Sequence, residues 1–141
     1  MEDPYALDRF VRAQDEGRTY VRAVEELRRG RKTSHWMWFV FPQVAGLGHS
    51  QTSVRFAIAS LGEARAYLGH GVLGPRLIEC TGIVTASEAR SAAQIFGGTD
   101  AQKLHSSMTL FHRAAPDQPL FEQVLGRYFD GRLDPATEAR I

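Results

Sequence analysis

With 141 residues, 43% hydrophobic and 23% charged, the chain has the size of one domain and enough apolar material for a core without staples. Its ordinary composition excludes a disordered tail, and a net charge of +1 argues against a strongly basic nucleic-acid binder. The one cysteine, Cys80, excludes an internal disulfide and suits a reducing compartment, so a cytoplasmic location is expected.

The opening, MEDPYALDRF, is acidic and carries no apolar signal segment. Asp3-Pro4 reads as N-cap and first helical residue, with Leu7, Phe10 and Val11 on one face. A second helix is expected from about Arg18 to Arg29, with Tyr20, Val24 and Leu27 inward and Gly30 as its stop. The run 36–41 looks strand-like and ends at Pro42. Ser50 can cap a helix carrying Val54, Ala57 and Ile58. Ser60-Leu61-Gly62-Glu63 is a capping box opening a helix with Ala64 and Leu68 inward. Residues 72–84 follow with Leu73, Leu77, Cys80 and Val84 on one face. Ser91 to Phe96 reads as a short turn closed by Gly97. Asp100 caps a helix with Leu104, Met108 and Phe111 inward. Asp117 caps the next, where Phe121, Val124, Leu125 and Tyr128 form a stripe and Gly131 ends it. Asp134-Pro135 starts a last short helix. The pattern predicts a mainly α fold, a single domain over 1–141 of about seven or eight short helices. No apolar stretch is long enough to span a membrane.

Three segments have the chemistry of a binding site. In HWMWFVFPQ, residues 35–43, Trp36 and Trp38 lie between Lys32 and His35 on one side and Gln43 on the other. In an extended backbone both indoles face one way; in a helical turn they lie about 200° apart. The rings are either core or the wall of a pocket for a planar ligand. Gly46-Leu47-Gly48-His49-Ser50 runs into a helix, and Gly46 and Gly48 let backbone N–H groups approach an anion. The plain alternative is a flexible connection capped by Ser50. In KLHSSMTLF, residues 103–111, Lys103 and Ser107 stack at i, i+4 beside the apolar stripe. They either border a cleft or are solvated flanks of an ordinary amphipathic helix.

The same blocks resemble an uncharacterised, mainly bacterial family of small helical domains. It is marked by HWMWF-FPQ, then GLG-S, then K-SSMTLF, and the resemblance covers nearly the whole chain. The family is a domain of unknown function sometimes labelled calpastatin, a label that these capped, apolar-striped helices do not fit. The resemblance implies a mainly α fold and no established reaction. Position 105, where the family commonly has arginine, is histidine here and is not counted as a site residue. A weaker similarity links the family to enzymes that cleave N-glycosidic bonds of ADP-ribosylated or nucleotide-like substrates.

The expected function is therefore binding of a small nucleotide- or ADP-ribose-like molecule, with N-glycosidic hydrolysis as the first reaction to consider. His35 is the candidate acid or base. Lys32, Trp36, Trp38, Gln43, Gly46, Gly48, Lys103 and Ser107 are the candidate ligand-binding residues. The alternative is a protein-interaction module with an exposed aromatic patch. No metal or cofactor is expected: there is no CxxC or HxxxH, and His105 and His112 are roughly 10 Å apart along a helix. Nor is nucleic acid, since Arg28, Arg29, Arg31 and Lys32 suit a helix C-terminus.

Overall fold

The structure, a computed structural model, describes residues 2–141. Among the described residues there are nine α-helical segments: α1 (Asp8–Asp15), α2 (Thr19–Arg29), α3 (Met37–Val40), α4 (Gln51–Arg55), α5 (Leu61–Gly69), α6 (Leu73–Ala86), α7 (Ala92–Ala114), α8 (Pro119–Tyr128) and α9 (Pro135–Glu138). The fold is mainly α, as the sequence predicts. No helix among the described residues is long and apolar enough to cross a membrane.

Caps decide most of the boundaries. The expected start at Asp3-Pro4 is early: α1 begins at Asp8 with Leu7 as its N-cap, and the Asp3 carboxylate accepts from the N–H groups of Leu7 and Asp8 just ahead of it. Ser60 Oγ accepts from Glu63 N–H, while Glu63 returns a bond to Ala59 N–H and pairs with Arg9. Gly30, at φ 78°, ends α2: its N–H donates to Leu27 O, and Arg31 N–H donates to Glu26 O. This closure folds residues 31–36 back over the end of α2.

Helix α7 is the centre of the molecule and packs against α5, α8 and α9, while α6 lies against α2, α5 and α8. A line of aromatic contacts crosses the core. Phe39 meets Phe56, Phe56 meets Phe10, Phe10 meets Tyr67, Tyr67 meets Phe111, and Phe111 meets Phe121, with ring centres 4.7–5.7 Å apart. The line ties the first helix to α8 through α5 and α7. The expected faces Leu73, Leu77, Cys80, Val84 and Leu104, Met108, Phe111 are buried.

Three further local expectations fail. Residues 36–41 are a single helical turn, not a strand: Val40 N–H donates to Trp36 O and Phe41 N–H to Met37 O. No strand lies beside the run, and the only β pairing among the described residues is the isolated Val44–Ile58 bridge. Val54 is 65% exposed, because α4 stops at Arg55 and the chain leaves helical geometry before Ile58. Gln118, not Asp117, caps α8, its Oε1 accepting from Leu120 N–H. The expected short piece closed by Gly97 is present: Ser91 Oγ accepts from Gln94 N–H, and Gly97 (φ 78°, ψ 166°) breaks the helical geometry within α7.

Candidate functional site: a cleft around Trp38

Site geometry starts from a buried carboxylate. Glu26, 1% exposed on α2, accepts from the N–H groups of Thr33 and Ser34, the Ser34 hydroxyl and the Trp36 indole N–H, at 2.5–3.0 Å. Burial works to raise its pKa, but these four donors prevail and hold it at about 2. A charged hub thus fixes the backbone of residues 33–36 before the aromatic turn begins. Cys80 is the opposite case: burial pushes its thiol up to about 12, and the group is inert at neutral pH.

The two tryptophans differ in their surroundings: Trp36 is the N-cap of the turn, at φ −140°, and Trp38 lies within it. Trp36 is 1% exposed, packed against Phe41 and Phe96, with the Lys32 ammonium 5.0 Å from its ring centre. Its donor and both faces are occupied. Trp36 lines the neighbouring hollow, at 1% exposure and with its indole N–H committed to Glu26. Trp38 lines the same hollow, of about 210 Å³, and a second of about 490 Å³; the two also share Ser50 and Lys103. Together they make one cleft with two lobes.

The smaller lobe holds Lys32, His35 and Asp100. His35 is exposed at its mouth. Lys32 is not a free cation. Its ammonium sits 2.6 Å from Asp100 and donates to Ser34 O, and its side chain is 6% exposed. Of the two lysines expected to steady ligand charge, Lys103 is the less committed. That side chain is 32% exposed, meets the other Asp100 oxygen at 3.4 Å, and places its ammonium 6.0 Å from the Trp38 ring centre. Asp100, expected as a helix cap, is instead the acid that couples the two lysines.

The larger lobe is lined by Gln43, Leu47, Gly48, His49 and Ser53 on one side and by Thr99, Gln102, Lys103, Ser106 and Asp134 on the other. Gly48 is where the loop comes closest to the aromatic wall. A Cβ there would stand 2.6 Å from the Ser53 side chain and 3.0 Å from Trp38 Cζ2. Gly46 does not line the cleft. Its φ is 97°, and a Cβ would stand 2.9 Å from Arg140 Nε, so its glycine serves a turn against α9. The loop runs into α4, which has five residues and whose Ser53 N–H is taken by Ser50 Oγ.

Ser107 is also corrected. It is fully buried and outside the cleft, because α7 is surrounded by packed helices and has no solvated flank at that position. The stripe that reaches the cleft is Thr99, Gln102, Lys103 and Ser106, at i, i+3, i+4 and i+7. Asp134 caps α9 and accepts from Ser106 Oγ, Gln102 Nε2, Thr137 N–H and Thr137 Oγ1. Burial opposes ionisation there, but the bonds from Thr137 and Ser106 win, and its pKa lies below the ordinary carboxylate value. Gln43 is 2% exposed, and its carboxamide nitrogen has no partner. His105 stacks on Phe129 and bonds to Arg132 O, away from the cleft.

The chain matches the family described as "Protein of unknown function (DUF1810)" over residues 4–141. It belongs to that family. Among solved structures it is similar to the conserved hypothetical protein Rv1873 from Mycobacterium tuberculosis, a crystal structure at 1.38 Å. The two are 54% identical with a TM-score of 0.93, over 97% of this chain and 96% of that one. No curated protein matches the chain.

Proposed function

We propose that this DUF1810 domain binds a small, flat, anionic molecule, a nucleotide or ADP-ribose derivative, in the Trp38 cleft. The observation that carries the reading is the meeting of three distant segments on one indole. Lys103 holds its ammonium 6.0 Å from the Trp38 ring centre, and Gly48 approaches the ring from the loop. A planar group can slide along the exposed edge of the indole while Lys103 takes the negative charge at the rim. Hydrolysis of an N-glycosidic bond is the first reaction to test. Its proton chemistry falls to His35, since Asp134 is held ionised by its donors and Asp100 lies between two lysines. The protein-interaction alternative lacks support: Trp36 and Trp38 are 1% and 8% exposed and form no flat aromatic patch.

The test is thermal denaturation against mononucleotides, ADP-ribose and NAD, followed by product analysis of any compound that stabilises. A ligand at a hundred times its dissociation constant stabilises the fold by about 2.7 kcal/mol. A panel without any shift, repeated with the same result by calorimetry, rejects the reading. A shift that persists in Trp38→Ala moves the site elsewhere.

A further inference from the structure

The larger lobe is lined by residues of unequal exposure: the Lys103 side chain, 32% exposed, marks its rim, and Gln43, 2% exposed, its inner end. The carboxamide N–H groups of Gln43 meet no acceptor. Its backbone is held rigidly: Gln43 O accepts from Ile58 N–H at 2.8 Å, beside the Val44–Ile58 bridge. The side chain therefore projects from a fixed point and cannot easily swing out to water. A buried donor left unpaired is destabilising, and an acceptor arriving with a ligand removes that deficit.

The acceptor has to be neutral. No cation among the described residues stands at the inner end; Lys103 belongs to the rim, and Lys32 is paired in the other lobe. Asp134 lines the same lobe as a carboxylate already served by four donors, so a phosphate pushed inward would meet like charge. The anionic part of a ligand is thereby kept outside, beside Lys103. A carbonyl oxygen fits the inner end best. It projects beyond the ring edge in the ring plane, where it reaches a recessed N–H while the ring lies against Trp38.

We infer that Gln43 is the specificity-determining residue of the cleft, selecting a planar heterocycle whose in-plane carbonyl oxygen enters first, with the anionic group trailing to Lys103. This rests on the Trp38 cleft being a ligand site. It goes beyond that reading by naming the ring chemistry and the orientation of the ligand.

The experiment compares inosine 5′-monophosphate with purine riboside 5′-monophosphate, the same nucleotide without the carbonyl, by calorimetric titration. The wild-type chain is expected to favour the carbonyl nucleotide by on the order of tenfold. Gln43→Met, which keeps length and removes the donor, is expected to bring the ratio close to one while the affinity for purine riboside monophosphate holds. Equal wild-type affinities, with both ligands lost in Trp38→Ala, overturn the inference and leave the cleft reading standing. Failure of both nucleotides to bind overturns the inference, and an unresponsive wider nucleotide panel then removes the cleft reading as well. If Gln43→Met does not fold, the wild-type ratio alone decides.

Discussion

The Lys103 ammonium stands 6.0 Å from the centre of the Trp38 ring, although 64 residues of chain separate them and one lies on a helical turn, the other in the long central helix. A third of the lysine side chain reaches solvent, and its only acidic contact is the 3.4 Å pair with Asp100. Such a rim charge contributes little to folding. Lys103→Ala is expected to change the melting temperature only slightly, by about 0.5 kcal/mol or less in stability. Affinity for anionic ligands is expected to fall by roughly threefold to thirtyfold, the range of a partly exposed charge contact. Paired melting and titration curves check both. A large loss of stability with unchanged binding would make Lys103 a structural residue.

Phe121 is fully buried at the end of the aromatic line and touches Phe111 with ring centres 5.7 Å apart. Phe121→Ala removes a ring from a packed site that cannot collapse around it. The expected loss is roughly 3–5 kcal/mol, read from denaturant unfolding. A loss below about 1 kcal/mol would mean that the core tolerates a hole there.

What could be read from the sequence divides along one physical line. Helix faces and caps were legible because they depend on neighbours three or four residues away. Phe121, Val124 and Leu125 are buried together, and Ser50, Ser60 and Asp134 cap as their spacing implies. The meeting of the Trp block with Lys103 and Gly48 was legible only as a hypothesis from residue chemistry. Partners far apart in sequence were not legible. Asp100 has the spacing of a cap, yet it binds Lys32 from 68 positions upstream. Glu26 carries no local sign of its role, and only the Gly30 turn brings Ser34 and Trp36 back onto it. Ser107 misled because a serine beside an apolar stripe suggests a flank, whereas α7 is enclosed on that side. One signal was available: Thr99, Gln102, Lys103 and Ser106 form a polar i, i+3, i+4, i+7 row that an amphipathic reading could have marked.

Glu26 makes the fold acid-sensitive. Its pKa is about 2 in the folded chain against 4.5 for the free side chain, so the carboxylate contributes stability above about pH 4.5. That contribution is lost as pH falls from about 4.5 towards about 2, because the unfolded chain takes up the proton first. The shift corresponds to about 3 kcal/mol. Glu26→Gln is expected to be less stable at neutral pH and to show a shallower loss across that acid range. Denaturant unfolding at stepped pH measures the difference in slope. Parallel curves for the two proteins would show that Glu26 does not hold the Trp turn through its charge.

The two glycines of the loop have separable roles, and alanine distinguishes them. At Gly48 a methyl group would stand 2.6 Å from the Ser53 side chain and 3.0 Å from Trp38 Cζ2, inside the larger lobe. Neither neighbour yields easily: Ser53 is short and buried in α4, and Trp38 is 8% exposed. Gly48→Ala therefore has to displace the loop or the ring, at a cost of roughly 1–3 kcal/mol, the usual range for overpacking. Ligand binding is expected to be lost with it, since the displaced ring is the wall. At Gly46 the obstacle is the far end of the flexible Arg140 side chain, which can move, and the remaining cost is the strain of a non-glycine residue at φ 97°. Gly46→Ala is expected to lose about 1–2 kcal/mol while keeping affinity for any ligand of the cleft, because Gly46 does not line it. Melting curves and titrations on the two variants give four numbers. Equal loss of affinity in both would show that the whole loop moves as one body and that Gly48 has no separate contact with the Trp38 wall.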